Sequence, residues 1–253
     1  MIYDSNKNIK NLDNFDICIV GSGIAASTLV IELLKTNFTF IVVEAGGLEA
    51  SSNKLLQKEN IGKKFGLEET NSIEIGGTSS LWHGVLAPLD KIDFKKRSWI
   101  KNSGWPIDYT DLQEYYLRSS EIFKNYNFHF FEIKNLPSKL KKFISFFRYN
   151  NDILVNKIFQ RPLPVTRFKN ILLNKLSKSQ NAHLIYNSVA LKLTLNKSKE
   201  VKKLKCGNNL GEIFDISAKK FIVCAGALET PRLLLNSKIN NANIGKYLMD
   251  HPM

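Results

Sequence analysis

The chain has 253 residues, of which 43% are hydrophobic and 11% aromatic, a composition typical of a globular protein rather than a disordered one. The formal net charge is +13. An anionic partner is one interpretation of this charge, but the lysines are scattered and arginine is scarce, so we expect no nucleic-acid partner. No apolar run is long enough to span a bilayer, and the polar residues 1–14 predict no secretory signal. The three cysteines lack metal-ligand spacing, so we expect no metal site and a reducing, cytoplasmic location.

A dinucleotide-binding motif is predicted near the start of the chain. Residues 16–20 are apolar and partly β-branched, which is typical of a buried parallel strand. They are followed directly by Gly21-Ser22-Gly23-Ile24-Ala25-Ala26. Gly21 permits a tight turn, Gly23 lets a pyrophosphate approach the backbone, and Ala26 is small enough for a helix to pack on the strand.

The next elements complete a βαβ unit. Residues 24–35 predict a helix whose N-terminus faces the phosphates, and residues 39–43 predict a second strand. Glu44 closes this strand, where a carboxylate accepts hydrogen bonds from ribose hydroxyls and repels a 2′-phosphate. Because strand, helix, strand and acid occur in the required order, we predict a dinucleotide site. The alternative is a glycine turn in an ordinary βαβ unit.

Residues 48–70 are polar, and we interpret them as a surface excursion, that is, a segment that runs over the surface after the second strand. A second glycine-rich segment follows this polar stretch. The segment reads Gly76-Gly77-Thr78-Ser79-Ser80-Leu81-Trp82-His83-Gly84. Its backbone N–H groups and hydroxyls are suitable partners for anions and carbonyls. A plain linker is the alternative, but the ring residues Trp82 and His83 at its end favour contact with a cofactor.

The middle of the chain is predicted to form a second region that packs on the first. A helix is expected from residue 108, with Thr110 as a candidate N-cap. Residues 139–148 are basic and amphipathic. We expect this segment to pack on its own domain, and contact with a membrane surface is the less favoured alternative.

The last third of the chain predicts strands again. Residues 183–189, 190–195 and 201–206 alternate apolar and polar side chains and predict a small β-meander. Residues 219–225 predict a buried strand that ends at Gly226. Thr230 is then a candidate N-cap, with Pro231 at the first helical position.

Taken together, four segments resemble the glucose–methanol–choline (GMC) family of flavin-dependent oxidoreductases. They are residues 21–26 with 42–46, residues 76–84, the run Cys224-Ala225-Gly226-Ala227-Leu228-Glu229-Thr230-Pro231-Arg232, and the run Ile244-Gly245-Lys246-Tyr247-Leu248-Met249-Asp250-His251-Pro252. Residues 88–107 look like the branch that acts on sugars and polyols. The resemblance implies an α/β fold, with a Rossmann-like FAD-binding domain that contains a parallel sheet and a β-meander, plus a partial substrate domain. The implied boundaries are 1–90 and 183–253 for the FAD-binding domain and 91–182 for the partial substrate region.

The resemblance implies FAD as the cofactor and oxidation of a CH–OH group, with hydride passing to flavin N5. Glu44 would serve the adenosine ribose, Val189 the adenine, and residues 82–84 would lie near the isoalloxazine. Leu81 stands where some relatives tether FAD through a histidine, so non-covalent FAD is expected. The full implied set of cofactor contacts is Gly21, Gly23, Ala26, Glu44, Gly76, Gly77, Thr78, Ser79, Trp82, His83, Gly84, Val189, Ala225 and Gly226.

The family's catalytic histidine lies in a C-terminal segment that this sequence does not contain. His251 belongs to a structural turn in the family pattern, so no catalytic residue is assigned here. The expected partners are a small-molecule alcohol or sugar substrate and a separate C-terminal chain that completes the enzyme. Two alternatives remain: a truncated remnant that binds FAD weakly or not at all, and a basic module that binds nucleic acid or an anionic membrane.

Overall fold

The structure is a computed structural model that describes residues 1–7, 9, 12–50, 54–56, 61, 66, 70–125, 127–142 and 156–249. The chain divides into two compact units. The first contains residues 1–81 and 167–253, and the second contains residues 82–166. The functional division at residues 90 and 182 stays a prediction.

Strands form the centre of the first unit, and helices occur in both units. The strands are β1 (Ile2–Asp4), β2 (Phe15–Val20), β3 (Phe40–Val43), β4 (Ala182–Tyr186), β5 (Val189–Leu195), β6 (Val201–Gly207) and β7 (Ile213–Val223). The α-helices are α1 (Ile24–Leu33), α2 (Lys91–Phe94), α3 (Gln113–Phe123), α4 (Ser138–Lys141), α5 (Phe168–Ser177) and α6 (Gly226–Asn236). Short 3₁₀ helices occur at Lys54–Leu56, Gly77–Ser80, Tyr109–Leu112, Phe128–Phe131 and Ile133–Asn135.

The seven strands form one mixed sheet with the order β1-β4-β3-β2-β7-β6-β5. The pairs from β1 to β7 are parallel, and the pairs β7–β6 and β6–β5 are antiparallel. In the middle of the parallel part, Ile19 of β2 lies opposite Val42 of β3 and Ile222 of β7. The predicted α/β fold with a parallel sheet and a β-meander is therefore confirmed.

The strands that form the meander differ from those predicted. The strand expected at residues 183–189 does not start the meander, because β4 pairs in parallel with β1 and β3. Ala182, Leu184 and Ile185 are fully buried, so this strand is covered on both faces, as strands inside a parallel sheet are. The meander consists of β5, β6 and β7, and β7 is long enough to pair with both β6 and β2.

Alternate residues of the central strands pack on opposite faces of the sheet. On one face, Ile19, Val42 and Leu184 pack with Ala26 and Val30 of α1 and with Leu172 and Leu176 of α5. On the other face, Val20, Val43 and Ile185 pack with Leu193, Leu204 and Leu233. Each fully buried Leu, Ile or Val contributes about 1.5–3 kcal/mol relative to exposure. This two-sided burial keeps the carboxyl ends of β2 and β3 in register.

Two predicted helix starts are wrong. Asp108, rather than Thr110, caps the 3₁₀ helix that precedes α3, through a capping box with Asp111. Helix α6 starts at Gly226, not after Thr230, and Pro231 lies inside it. The glycine has a φ of +79°, so the chain turns into the helix soon after β7 ends. Pro231 removes one helical hydrogen bond without ending the helix.

Several predictions fall on residues outside those that the structure describes. These are part of the surface excursion at 48–70, residues 143–148 of the basic amphipathic segment, and the Asp250-His251-Pro252 end of the last motif. Residues 139–141 of the basic segment lie in helix α4. Within the described ranges, no helix combines the length and the apolar character needed to cross a bilayer.

Candidate functional site

A cavity of about 500 Å³ lies in the first unit, next to the carboxyl ends of β2, β3 and β7. Val20, Val43 and Val223, the last residues of these strands, contribute to its lining. Ligands of open parallel sheets bind at this edge, and ligand pockets commonly enclose roughly 300–1,000 Å³. The cavity is therefore the first candidate for the predicted dinucleotide site.

Gly21 and Gly23 line this cavity for different reasons. Gly21 has a φ of +96°, and a Cβ built on it would lie 2.5 Å from the carbonyl oxygen of Cys224. Gly23 has an ordinary extended conformation, with φ −65° and ψ −169°, and a Cβ built on it meets nothing within 4 Å. Gly21 is thus required by the fold, whereas the absence of a side chain at Gly23 leaves space in front of α1.

Gly23 is also the N-cap residue of α1 and supplies no capping side chain. The first N–H groups of a helix lack intrahelical partners and carry the positive end of the helix dipole. A phosphate is a suitable partner for such groups. Ala26, by contrast, does not line the cavity: it is fully buried in the core between α1 and the sheet.

Glu44 follows β3 and lies in the cavity wall, with 6% of its surface exposed. Its Oε2 accepts hydrogen bonds from the Ser22 N–H at 2.9 Å and the Ser22 hydroxyl at 2.6 Å, and its Oε1 accepts one from the Gly46 N–H at 2.8 Å. Burial raises the pKa of Glu44, and the hydrogen bonds from Ser22, Gly46 and Ala45 oppose this rise. Donors therefore surround the carboxylate and hold it in one orientation.

The Gly76–Ser80 segment turns back against the start of α1. Gly77 has a φ of +55°, and a Cβ on it would lie 3.1 Å from the Gly23 Cα. The Ser79 hydroxyl donates to the Gly76 carbonyl at 2.7 Å, and the Ser79 carbonyl accepts from Arg167 Nη1 at 2.6 Å. Gly77, Thr78 and Ser79 line the cavity, whereas Gly76 does not.

The far wall of the cavity comes from β5 and from the turn after β7. Val189 begins β5 and is fully buried, and Ala225 and Gly226 lead into α6. All three line the cavity. The structure thus brings most of the predicted contacts together, and their roles toward a cofactor remain predictions.

Ser22, Glu229 and Arg232 line the cavity as well, although no sequence pattern predicted a role for them. Arg232 Nε donates to Glu229 Oε2, and its Nη2 donates to the Ala190 carbonyl at 3.2 Å. The helical spacing of Glu229 and Arg232 would have indicated this ion pair only if the helix had been expected to start before Thr230. Nothing local in the sequence indicates the contacts of Ser22.

Trp82, His83 and Gly84 belong to the second unit. Trp82 Nε1 donates to the Thr166 carbonyl at 3.1 Å, and the Trp82 ring lies 5.7 Å from that of Phe123. Gly84 has a φ of +74°, and a Cβ on it would lie 2.6 Å from Val165 Cγ1. His83 is exposed. Their predicted contact with the isoalloxazine stays a prediction.

The three cysteines are free and differ in burial. Cys18 and Cys206 are buried, and burial raises the pKa of Cys206 to about 12 and also raises the pKa of Cys18. Cys224 is half-buried and lines the cavity. Among the described residues, no group of three or more His, Cys, Asp or Glu side chains is arranged to hold a metal ion.

In a comparison with family models, residues 167–253 match the model described as GMC oxidoreductase. This finding confirms the predicted resemblance to the GMC family. Comparison with curated proteins gives no match.

Solved structures show a similar fold. Pyridoxine 4-oxidase from Mesorbium loti is 20% identical, with a TM-score of 0.57 over 88% of this chain and 52% of that one. A fungal aryl-alcohol oxidase is 13% identical, with a TM-score of 0.58 over 90% of this chain and 48% of that one. A formate oxidase is 16% identical, with a TM-score of 0.60 over the same shares. The chain thus spans about half the length of the solved structures that it matches.

Proposed function

We propose that the cavity binds FAD, and that this chain is the FAD-binding portion of an oxidoreductase that acts on the CH–OH group of a small-molecule alcohol or sugar. The proposal rests mainly on one observation. Glu44 and the N-terminus of α1 line the same cavity, at the carboxyl ends of the adjacent parallel strands β2 and β3. The match of residues 167–253 to the GMC oxidoreductase model supports it.

The residues of the cavity suit the parts of this cofactor. The N-terminal N–H groups of α1 and the space at Gly23 would receive the pyrophosphate, flanked by the turn at Gly77–Ser79. Glu44 would accept hydrogen bonds from the ribose hydroxyls. Val189 would contact the adenine, and Ala225 and Gly226 would lie along the cofactor from the other side.

The reaction also requires a proton acceptor. Bound FAD would supply the chemistry by accepting a hydride from the substrate's CH–OH carbon. The hydroxyl proton must pass to a base within hydrogen-bond reach. We assign no such base among the residues of this sequence and propose that residues outside it provide one, either in the same polypeptide or in a separate C-terminal chain.

We further propose that FAD is held without a covalent bond and that the protein is cytoplasmic. Non-covalent binding is supported by Leu81, which offers no nucleophile for a flavin linkage. The cytoplasmic location is supported by the three free cysteines, which are typical of a reducing compartment. Acid precipitation of the flavin-loaded protein tests whether FAD is bound without a covalent bond. Flavin absorbance should move to the supernatant, and colour that stays in the pellet would indicate covalent attachment, with His83 as the first residue to examine.

Binding itself can be tested without any activity. The apoprotein is titrated with FAD while flavin fluorescence is followed, and Cys224 is labelled with a thiol reagent with and without FAD. Because Cys224 lines the cavity, we expect FAD to slow its labelling at least tenfold. Cys18 and Cys206 serve as internal controls, since both should stay unlabelled in the native state. No FAD uptake and unchanged Cys224 labelling would contradict the proposed function.

A further inference from the structure

We infer that Ser22 is a positioning residue that joins three chain segments at the cavity, and this inference rests on the proposed FAD site. Its side chain is fully buried. The Ser22 hydroxyl donates to Glu44 Oε2 at 2.6 Å and accepts from the Gly76 N–H at 2.9 Å. One side chain thus connects the turn after β2, the acid after β3 and the start of the Gly76–Ser80 segment.

The chemistry of the partners sets the direction of these hydrogen bonds. The Gly76 N–H is only a donor, so the Ser22 oxygen must accept from it. The single hydroxyl proton is then directed to the Glu44 carboxylate, which is an acceptor when ionised. The Ser22 N–H donates to the same Oε2 at 2.9 Å. Ser22 therefore orients Glu44 with two donors and holds the Gly76 segment with its acceptor.

Removal of the hydroxyl would leave the buried Gly76 N–H without a partner and would weaken the hydrogen bonding of Glu44. The Gly76 N–H would lose its acceptor, and Glu44 Oε2 would lose its shortest hydrogen bond. Among the residues that the structure describes, the buried Gly76 N–H makes no other hydrogen bond, and a buried N–H without a partner costs free energy.

The consequence reaches the proposed pyrophosphate contact through Gly77. This residue directly follows Gly76, and a Cβ on it would lie 3.1 Å from the Gly23 Cα, so the two backbones are in close contact. A shift of the Gly76 segment would change the width of the space in front of α1. Ser22 thereby acts on the cofactor through Glu44 and Gly77 rather than only by its own contact.

Ser27 provides a matched control. It is a serine of the same size, it is also fully buried, and it lies one turn further along at the start of α1. Its hydroxyl donates to the Ser22 carbonyl at 3.0 Å, and no hydrogen bond joins its side chain to Glu44 or Gly76. Ser27→Ala therefore removes a buried hydroxyl from the same helix start without breaking the connection described above.

The first experiment measures FAD affinity by fluorescence titration in the wild type, Ser22→Ala, Ser27→Ala, Glu44→Gln and the Ser22→Ala/Glu44→Gln double variant. We expect Ser22→Ala to weaken binding about 10- to 100-fold and Ser27→Ala less than threefold. Because Ser22 acts partly through Glu44, its effect should shrink by at least threefold in the Glu44→Gln background. Equal losses for the two serine variants, or fully additive effects of Ser22 and Glu44, would overturn the inference.

The second experiment needs no FAD and therefore separates this inference from the proposed function. Native-state hydrogen exchange of the Gly76 amide is followed in the apoprotein. Ser22→Ala should speed this exchange at least tenfold more than Ser27→Ala does. Similar exchange rates in the two variants would overturn the role of Ser22 even if FAD binds. Fast exchange in Ser22→Ala with no FAD binding by the wild type would refute the proposed function and retain the connection through Ser22.

Discussion

Gly23→Asp should change protein stability and FAD binding in opposite directions. The backbone at Gly23 is extended, with φ −65° and ψ −169°, and its Cβ position is open, so an aspartate fits without strain. Its carboxylate can cap the free N–H groups of α1 and complement the helix dipole. The cap and the dipole together should raise the free energy of unfolding by about 1 kcal/mol, which corresponds to an increase in Tm of about 2–4 °C.

The same carboxylate would occupy the space proposed for the pyrophosphate. Two unit charges about 5 Å apart at an effective dielectric constant of about 20 repel by roughly 3 kcal/mol, so FAD affinity should fall by at least about 100-fold. Differential scanning calorimetry of the apoprotein and a fluorescence titration with FAD measure the two effects.

Gly23→Asn is the matched control, because it keeps the capping group and carries no charge. We expect it to raise the Tm of the apoprotein slightly and to weaken FAD binding less than Gly23→Asp does. Gly23→Val should abolish FAD retention by volume alone. If Gly23→Asp is more stable and binds FAD within fivefold of the wild type, the pyrophosphate does not lie in front of α1, and the reasoning is refuted.

Three further predictions concern the fold around the cavity. Gly21→Ala should lower the free energy of unfolding by about 2–4 kcal/mol in a urea titration, because φ is +96° and the new Cβ would lie 2.5 Å from the Cys224 carbonyl oxygen. A loss below about 0.5 kcal/mol, roughly one tenth of a typical domain's stability, would contradict this. Hydrogen bonds from Lys219 and Thr39 lower the pKa of Asp16 to about 2, so its contribution to stability is present above the usual pKa and is lost as the pH falls through about 2. Asp16→Asn should make the Tm change less with pH between about 2 and the usual carboxyl pKa. If the Tm values of the wild type and of Asp16→Asn change in parallel over this range, the lowered pKa of Asp16 is refuted. Burial raises the pKa of Glu44, so the wild-type apoprotein should lose stability relative to Glu44→Gln as the pH rises through that pKa, which chemical denaturation at several pH values can measure.

The first βαβ unit could be predicted from sequence because its signals are local. The expected strand at residues 16–20 and helix at 24–35 differ from β2 and α1 by no more than two residues at any end. Apolar runs, the glycine spacing and the acid after the second strand all lie within thirty residues of one another, a span of about one βαβ unit. The cavity and the position of Glu44 in its wall follow from this unit.

The remaining features depend on contacts between distant parts of the chain. The alternation in residues 183–189 is compatible with a parallel or an antiparallel neighbour, so the pairing of β4 with β3 was not predictable from that pattern. The Thr230-Pro231 signal was outweighed by the turn at Gly226. The contact between Ser22 and Gly76 joins segments that are 54 residues apart, and no sequence pattern specifies it.

The position of β7 has a consequence for how the protein is made. Cys18 of β2 pairs with Phe221 of β7, so the two walls of the cavity come from parts of the chain that are far apart in sequence. Pairing across such a long stretch of chain is slow because the intervening loop must be closed first. During translation the emerging βαβ unit therefore exposes one edge of β2 until β7 leaves the ribosome. A cofactor that needs both walls can stabilise the protein only after β7 has been made, and cannot assist the folding of the βαβ unit before then.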